Sequence, residues 1–304
     1  LERLAPRLEN YGNSGIKPTL FSYSYAALVQ FRWAKARGWR TVLGQIDPGP
    51  LDNALMLQLQ SQHWADEKAA LPEAEEYLHG WRDECNLADQ IVVNSEWSRQ
   101  SLLAAGAAEE KLRVVPLAFA PTPKKSAGVV RRYPSRFDDT RPLRVLYLGN
   151  LNFRKGVLEV FDAIRRLVAM PCEFWFVGLR QIDVPAEIEA RSNVRLIGPV
   201  ARGSVADWYA AADVFIFPTH SDGFGLTQLE ALSYGLPVIA SRNCGDVIQD
   251  DVNGLLLEKV CGKDIADKIM YFLENPNALK LMALNCRVDS RFSTAQVGKL
   301  LIAT

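Results

Sequence analysis

Two short stretches of this sequence hold residues whose types and spacing could do chemistry. The first runs from His220 to Glu230, where Asp222 and Glu230 bracket a glycine-bearing turn with seven residues between them. Glycines such as Gly223 and Gly225 let backbone approach a ligand closely. A helix expected from about Leu226 to Tyr234 then aims free N–H groups and a positive dipole end at whatever sits there. That is an anion cradle with one carboxylate at its lip and another one turn into the helix. The same spacing also suits an ordinary strand, turn and helix carrying two solvated acids. The second stretch runs from Gly149 to Gly156, with Arg154 and Lys155 just before the second glycine. A phosphate there would gain charge-assisted bonds from both cations. The stretch is neither GxxxxGK[ST] nor GxGxxG, and two surface cations would explain it equally well alone. Its force comes from the pairing, because both stretches follow strands, and open α/β sheets bind ligands where strands end. Cations for a diphosphate and a carboxylate for ribose hydroxyls would divide the labour.

The elements that must position these residues alternate. Helical spacing (Leu1, Leu4, Leu8) covers 1–11 and precedes a short strand at 18–22. An amphipathic helix follows at 23–37, stopped at Gly38, and then a buried-type strand at 41–46. Residues 51–88 are helix-rich and broken at Pro72; a strand at 90–94 follows, then a helix capped by Asn94 or Ser95 and stopped at Gly106, and a strand at 112–116. Residues 121–142 carry four prolines and six Lys or Arg without a clean period, and read as a solvated connection. The second half gives strands at 143–148, 173–177, 194–197, 213–218, 237–241 and 255–257. Helices are expected from the 149–156 loop to about 170, at 205–211 and 226–234, and at 263–274 and 276–287. This alternation predicts parallel sheets with helices on their faces.

Composition excludes several classes. The 304 residues are 48% hydrophobic and 23% charged, with 35 basic and 35 acidic side chains, which suits a globular chain of two domains and gives no overall attraction to nucleic acid. Five cysteines (Cys85, Cys172, Cys244, Cys261, Cys286) lack CxxC spacing, so reduced thiols in a cytoplasmic protein fit best. Three histidines (His63, His79, His220) do not suggest a metal centre, and no apolar run reaches membrane-span length.

Several segments resemble the retaining glycosyltransferases of family 4, which have the GT-B architecture of two Rossmann-like domains facing a cleft. The matching segments are GNLNFRKG (149–156), FVG (176–178), NVRLIGPV (193–200), YAAADVFIFPTHSDGFGLTQLEALSYGLPVIAS (209–241) and GDVIQDDVNGLLL (245–257). LADQIVVNSEWSRQSLLAAG and KLRVVPLAF are similar to the end of that family's acceptor domain, so the resemblance covers roughly residues 17–291. It implies an N-terminal acceptor domain at 1–120 lacking its first part, a connection at 121–142, a nucleotide-sugar-binding domain at 143–290 and a tail at 291–304.

Residue by residue, the resemblance implies that Lys155 binds the donor diphosphate with Arg154 beside it, in a loop with Gly149 and Asn150. Glu230 would take the ribose hydroxyls and Asp222 would stand near the transferred sugar. Backbone of Phe224, Gly225 and Leu226, with Thr227 next, would hold sugar or phosphate, and backbone up to Val200 would face the base. No metal or other cofactor is implied; the nucleotide-sugar is the substrate. Departures from the family pattern are Asn150 for arginine, Asp222 for glutamate, and Gln45-Ile-Asp47 where many members have a histidine, which leaves Asp47 or nothing in that role. His220 beside the turn and Tyr23 (with Tyr25) at a strand end can touch sugar or acceptor, or simply pack. The expected activity is transfer from a nucleotide-sugar to a carbohydrate, lipid or other hydroxyl acceptor with retention. Membrane-surface association is open but not indicated. The alternatives are a non-catalytic sugar-nucleotide binder of the same fold and a sugar-nucleotide epimerase.

Overall fold

The computed structural model of the protein describes residues 18–63, 74–120 and 131–304. The expected helix at 1–11, the break at Pro72 and the first half of the 121–142 connection lie outside the described residues. The chain divides into two units, one of Leu1–Pro116 with Gly298–Thr304, the other of Leu117–Val297.

The first unit holds β1 (Thr19–Tyr23), α1 (Leu28–Lys35), β2 (Arg40–Gln45), α2 (Pro50–His63), α3 (Ala74–Leu87), β3 (Gln90–Val93), α4 (Glu96–Ala104) and β4 (Leu112–Val114). Its strands pair in chain order and all in parallel. β2 and β3 are buried almost throughout, as central strands covered on both faces must be. Phe31, Leu43, Trp81, Ile91 and Leu102 fill the core beneath them. Ser95 supplies the cap of α4 by accepting from the Ser98 N–H at 3.1 Å, while the Asn94 amide donates to the Ile46 carbonyl instead. α1 starts later than the 23–37 pattern predicts. Tyr25 adopts φ +71°, and the buried Glu84 carboxylate accepts from the N–H groups of Tyr25, Ala27 and Leu28 at 2.7, 2.8 and 3.1 Å. A cap supplied from α3 therefore sets where α1 begins, and no local pattern announces it.

The second unit holds β5 (Leu143–Leu148), α5 (Val157–Arg166), β6 (Cys172–Val177), α6 (Ala186–Glu189), β7 (Val194–Gly198), α7 (Val205–Ala211), β8 (Val214–Phe217), α8 (Leu226–Ser233), β9 (Val238–Ala240), β10 (Gly254–Leu256), α9 (Gly262–Glu274) and α10 (Pro276–Asn285). A further helix, α11 (Thr294–Ile302), occupies the stretch expected as a tail. Its nine residues include Gly298 and bury no side chain, which leaves little periodicity to read. α5 shows the opposite case, with Val157, Val160, Phe161 and Ile164 forming one buried stripe.

The sheet of this unit is parallel, in the order β10-β9-β8-β5-β6-β7. The chain winds outward from β5 through β6 to β7, then returns to the other side of β5 and continues outward from β8. Strand order thus reverses between β5 and β8, where Tyr147 pairs with Ile216. The loops leaving these two strands start side by side, and they are the 149–156 loop and the 218–225 turn. Doubly wound sheets bind ligands at such a reversal because the two loops part there.

The amino ends of the same strands are locked by charge. Asp213, 4% exposed, accepts both terminal nitrogens of Arg141 at 2.6 Å and the Arg144 N–H at 2.9 Å. A two-pronged guanidinium–carboxylate pair fixes geometry as well as charge. Arg131 donates to the carbonyls of Tyr209, Ala212 and Tyr234, at the carboxyl ends of α7 and α8. The connection expected to be solvated is therefore packed on the second unit at Arg131 and at Tyr133, whose hydroxyl donates to the Asp213 carbonyl, while Arg132 and Arg136 are exposed. Buried carbonyls at helix ends need a donor, and Arg131 supplies one.

Candidate functional site

The loop after β5 is built on close backbone approach. Gly178, leaving β6 at φ +146°, lies where a Cβ would come within 1.9 Å of the Gly149 carbonyl oxygen. Asn152 then opens a single 3-10 turn, Phe153–Lys155, by accepting the Lys155 N–H at 3.0 Å. Gly156 ends that turn at φ +69°, and a Cβ on it would lie 1.9 Å from the Pro218 carbonyl oxygen of the neighbouring loop. Arg154 ties the loops from the other side. Its carbonyl accepts the His220 N–H at 2.8 Å and the Thr219 hydroxyl at 2.9 Å, and its guanidinium reaches the Ser221 carbonyl at 3.4 Å. The two sequence stretches therefore form one bonded structure.

Asp222 is held at both ends within the turn. Its N–H donates to the Asn243 carbonyl at 2.9 Å and its Oδ1 accepts the Phe224 N–H at 3.1 Å. Its Oδ2 forms an ion pair with Lys155 Nζ, which also stands 5.3 Å from the centre of the Phe217 ring. Gly225, at φ +80°, precedes α8 and leaves only 2.6 Å between a built Cβ and the Phe217 ring. Gln228 is fully buried and donates to the Phe224 carbonyl at 3.1 Å, which holds the turn against the helix. No side chain caps α8. The Gln228 N–H donates to the Gly225 carbonyl at 3.1 Å, and the N–H groups ahead of it are those a helix start offers to an approaching anion. In the same turn Leu226 is exposed, and the Thr227 hydroxyl is buried without a hydrogen-bond partner. An uncapped helix start, an orphan hydroxyl and two cations suit a phosphate-bearing ligand.

Glu230 stands one turn further along α8. Its Oε2 accepts the hydroxyl of Tyr209 at 2.9 Å, and Tyr209 stacks on Tyr234 with ring centres 5.6 Å apart. Burial, and then the Glu230 charge, push the Tyr209 phenol well above its usual range, so it remains a donor. Tyr234 is raised by the same two causes. Cys244, behind the turn, is pushed up to about 12 by burial and the Asp222 charge, so it supplies no thiolate nucleophile.

The remaining expected residues differ in placement. Asn150 is exposed, and its carbonyl accepts the Tyr147 hydroxyl at 3.0 Å. Val200 follows β7 and packs half-buried on the core of the second unit. His220 turns its ring toward α5, with Nε2 2.8 Å from Glu159 Oε1 though not aligned as a hydrogen bond, and both side chains are mostly enclosed. Asp47 and Tyr23 belong to the first unit, at the carboxyl ends of β2 and β1. Asp47 Oδ1 accepts from the Tyr25 hydroxyl, the Gln45 amide and the Gly49 N–H at 2.6, 2.5 and 2.8 Å. Tyr23 is exposed and meets Phe21 edge-on.

The second unit thus gathers Gly149, Asn150, Arg154, Lys155, Asp222, Phe224, Gly225, Leu226 and Thr227 about two loops, with Glu230 one turn on. Sequence reasoning missed Tyr209, Asn152, Gln228 and Glu159. Asn152, three residues before Lys155, matched a capping spacing that could have been read; the others act across elements and leave no local signal. Among the described residues no group of three His, Cys, Asp or Glu side chains is placed to hold a metal ion, and no helix is long and apolar enough to cross a membrane.

Residues 142–275 match the family described as glycosyl transferases group 1. D-inositol 3-phosphate glycosyltransferase of Xylanimonas cellulosilytica is 26% identical over 283 residues, covering 86% of this chain and 65% of that protein. The chain spans less than two thirds of the length of the curated relatives it matches. Anabaena HepE in complex with UDP superposes with a TM-score of 0.72 at 17% identity, over 100% of this chain and 81% of the other. Sucrose-phosphate synthase from Thermosynechococcus elongatus gives 0.66 at 19%, over 100% and 79%. These likenesses establish the GT-B fold.

Proposed function

We propose that this chain, whose residues 142–275 belong to the glycosyl transferases group 1 family, transfers a sugar from a nucleoside diphosphate sugar to a hydroxyl acceptor with retention of configuration. The observation that carries this reading is the pairing of the Lys155 loop with the Asp222–Glu230 turn on adjacent strands at the sheet reversal. Lys155 and Arg154, with the first-turn N–H groups of α8, bind the diphosphate. Glu230, oriented by Tyr209, accepts from the ribose hydroxyls, and Asp222 from hydroxyls of the sugar. The backbone before Val200 faces the base.

In the transfer step the bond from the anomeric carbon to the diphosphate oxygen breaks, and its electron pair leaves on that oxygen. The acceptor oxygen bonds to the anomeric carbon on the same face, and its proton passes to the departing diphosphate. Negative charge grows on the diphosphate, so Lys155 and the helix start stabilise the transition state more than the ground state. No side chain is assigned as a nucleophile, and Tyr23, Asp47 and His220 are left outside the reacting group. Carbohydrates, lipids and other hydroxyl compounds are the acceptor classes. A relative named for inositol 3-phosphate and a neighbour holding UDP make these the first acceptor and base to try.

Asn150, in place of the arginine that the resemblance leads one to expect, favours one second reading, a binder without turnover. Release of nucleoside diphosphate from UDP-glucose and GDP-mannose, measured with an acceptor panel, separates the two. Turnover that falls about a hundredfold or more in Lys155→Ala and Glu230→Ala supports the transferase site. Binding without turnover supports the second reading, and near-normal release in both variants sinks the placement of the site. Product analysis without acceptor would reveal an epimerase, which converts the donor.

A further inference from the structure

Resting on the donor site proposed above, we propose that Asp222 discriminates against the nucleoside diphosphate product by competing with it for Lys155. In the free protein these two side chains are paired, and they are only 20% and 15% exposed. Asp222 is the fixed member, since its N–H and its Oδ1 are both bonded to backbone of the turn region. Lys155 is the mobile one, a point charge on a flexible stem. A diphosphate that engages Lys155 must therefore do so beside a carboxylate that cannot withdraw far.

That carboxylate repels every negative charge brought to the lysine. The terminal phosphate of a free nucleoside diphosphate is substituted only through its anhydride link and has a second ionisation near neutrality. In the donor the sugar esterifies that phosphate and removes about one negative charge. The repulsion is consequently larger for the product than for the donor, in a site screened from water by its own burial. Once the proton taken from the acceptor has passed from the diphosphate to solvent, the extra charge stands beside Asp222, and Lys155 can return to the carboxylate as the diphosphate leaves. Arg154 does not relieve the repulsion to the same degree, because its guanidinium is directed to the Ser221 carbonyl.

The test is calorimetric titration of UDP and UDP-glucose, then GDP and GDP-mannose, into the wild-type chain, Asp222→Asn and Lys155→Met. Asparagine keeps an Oδ1 acceptor for the Phe224 N–H, so the turn retains its bond, and circular dichroism checks each fold. Asp222→Ser serves as the second variant if the first does not fold. The expected result is that loss of the carboxylate tightens nucleoside diphosphate binding about tenfold, which is about 1.4 kcal/mol. The donor should gain less than about threefold, so the product-to-donor affinity ratio rises. A ratio unchanged within about twofold, or weaker diphosphate binding in the variant, overturns the proposal while leaving the donor site standing. Absence of any nucleotide binding to the wild type overturns the donor site itself.

Discussion

Tyr209 donates its hydroxyl to Glu230 Oε2 at 2.9 Å from a position that is 1% exposed. The contact joins α7 to α8 and fixes one oxygen of the carboxylate assigned to the ribose. Tyr209→Phe removes that donor with almost no change in shape. UDP affinity should fall about three- to tenfold, in line with about 1 kcal/mol for a lost hydrogen bond. 2′-Deoxy-UDP should lose less, because it asks less of Glu230. Equal losses for both nucleotides, measured by calorimetry, would remove Glu230 from the ribose.

Gly156 and Gly198 allow the cost of backbone conformation to be separated from the cost of contact. Both lie in the left-handed region, at φ +69° and +77°. A Cβ at Gly198 meets nothing within 4 Å, whereas one at Gly156 meets backbone of Pro218 at 1.9 Å. Gly198→Ala should therefore cost only the conformational strain, about 1 kcal/mol. Gly156→Ala adds a clash that no side chain can relieve, and should cost about 3 kcal/mol or more while weakening nucleotide binding. Urea denaturation of the two variants checks the difference, and equal costs would mean that the loops are not locked together at this point.

What the sequence disclosed and what it concealed follow a physical division. Helix α5 and strands β5, β6 and β8 announce themselves, because burial of one stripe or of both faces writes a period into the residues. Gly156 and Gly225 are legible because a positive φ and a neighbour too close for a Cβ leave room only for glycine there. The reversal between β5 and β8 is a matter of strand order, and no local pattern encodes it. The same holds for partners brought from elsewhere, such as Glu84 for α1, Tyr209 for Glu230 and Glu159 for His220. Arg131 in a proline-rich, basic stretch reads as a solvated cation, and only the folded chain shows three carbonyls around it.

Those carbonyls give Arg131 a measurable role. Arg131→Met keeps much of the stem but leaves the Tyr209, Ala212 and Tyr234 carbonyls without their donor. The expected loss is about 2–4 kcal/mol, the range for uncovering buried polar groups at a cationic site. Because Tyr209 lies at the end of α7, nucleotide affinity should fall with stability. An unchanged denaturation midpoint would show that the contact carries no energy.

The cysteines predict how stability depends on alkaline pH. Burial pushes the thiols of Cys85, Cys172, Cys244 and Cys286 up to about 12, with the neighbouring Glu84 charge adding to the shift at Cys85. An unfolded cysteine ionises near 9.0. Between these values the unfolded chain binds fewer protons than the native one, so unfolding gains as pH rises. The stability these groups contribute is fully present below 9.0 and is lost progressively toward about 12. Tyr133, Tyr147 and Tyr209 shift in the same direction from an ordinary value of 10.0 and steepen the loss. Urea midpoints should be level from about pH 7 to about pH 8.5 and fall steeply above about pH 9. Thiol labelling at neutral pH gives an independent check. Four of the five cysteines are buried and Cys261 is half-buried, so about one thiol should react in the native protein and all five after denaturation. Rapid reaction of two or more native thiols would contradict the packing of the core around Cys172 and Cys244.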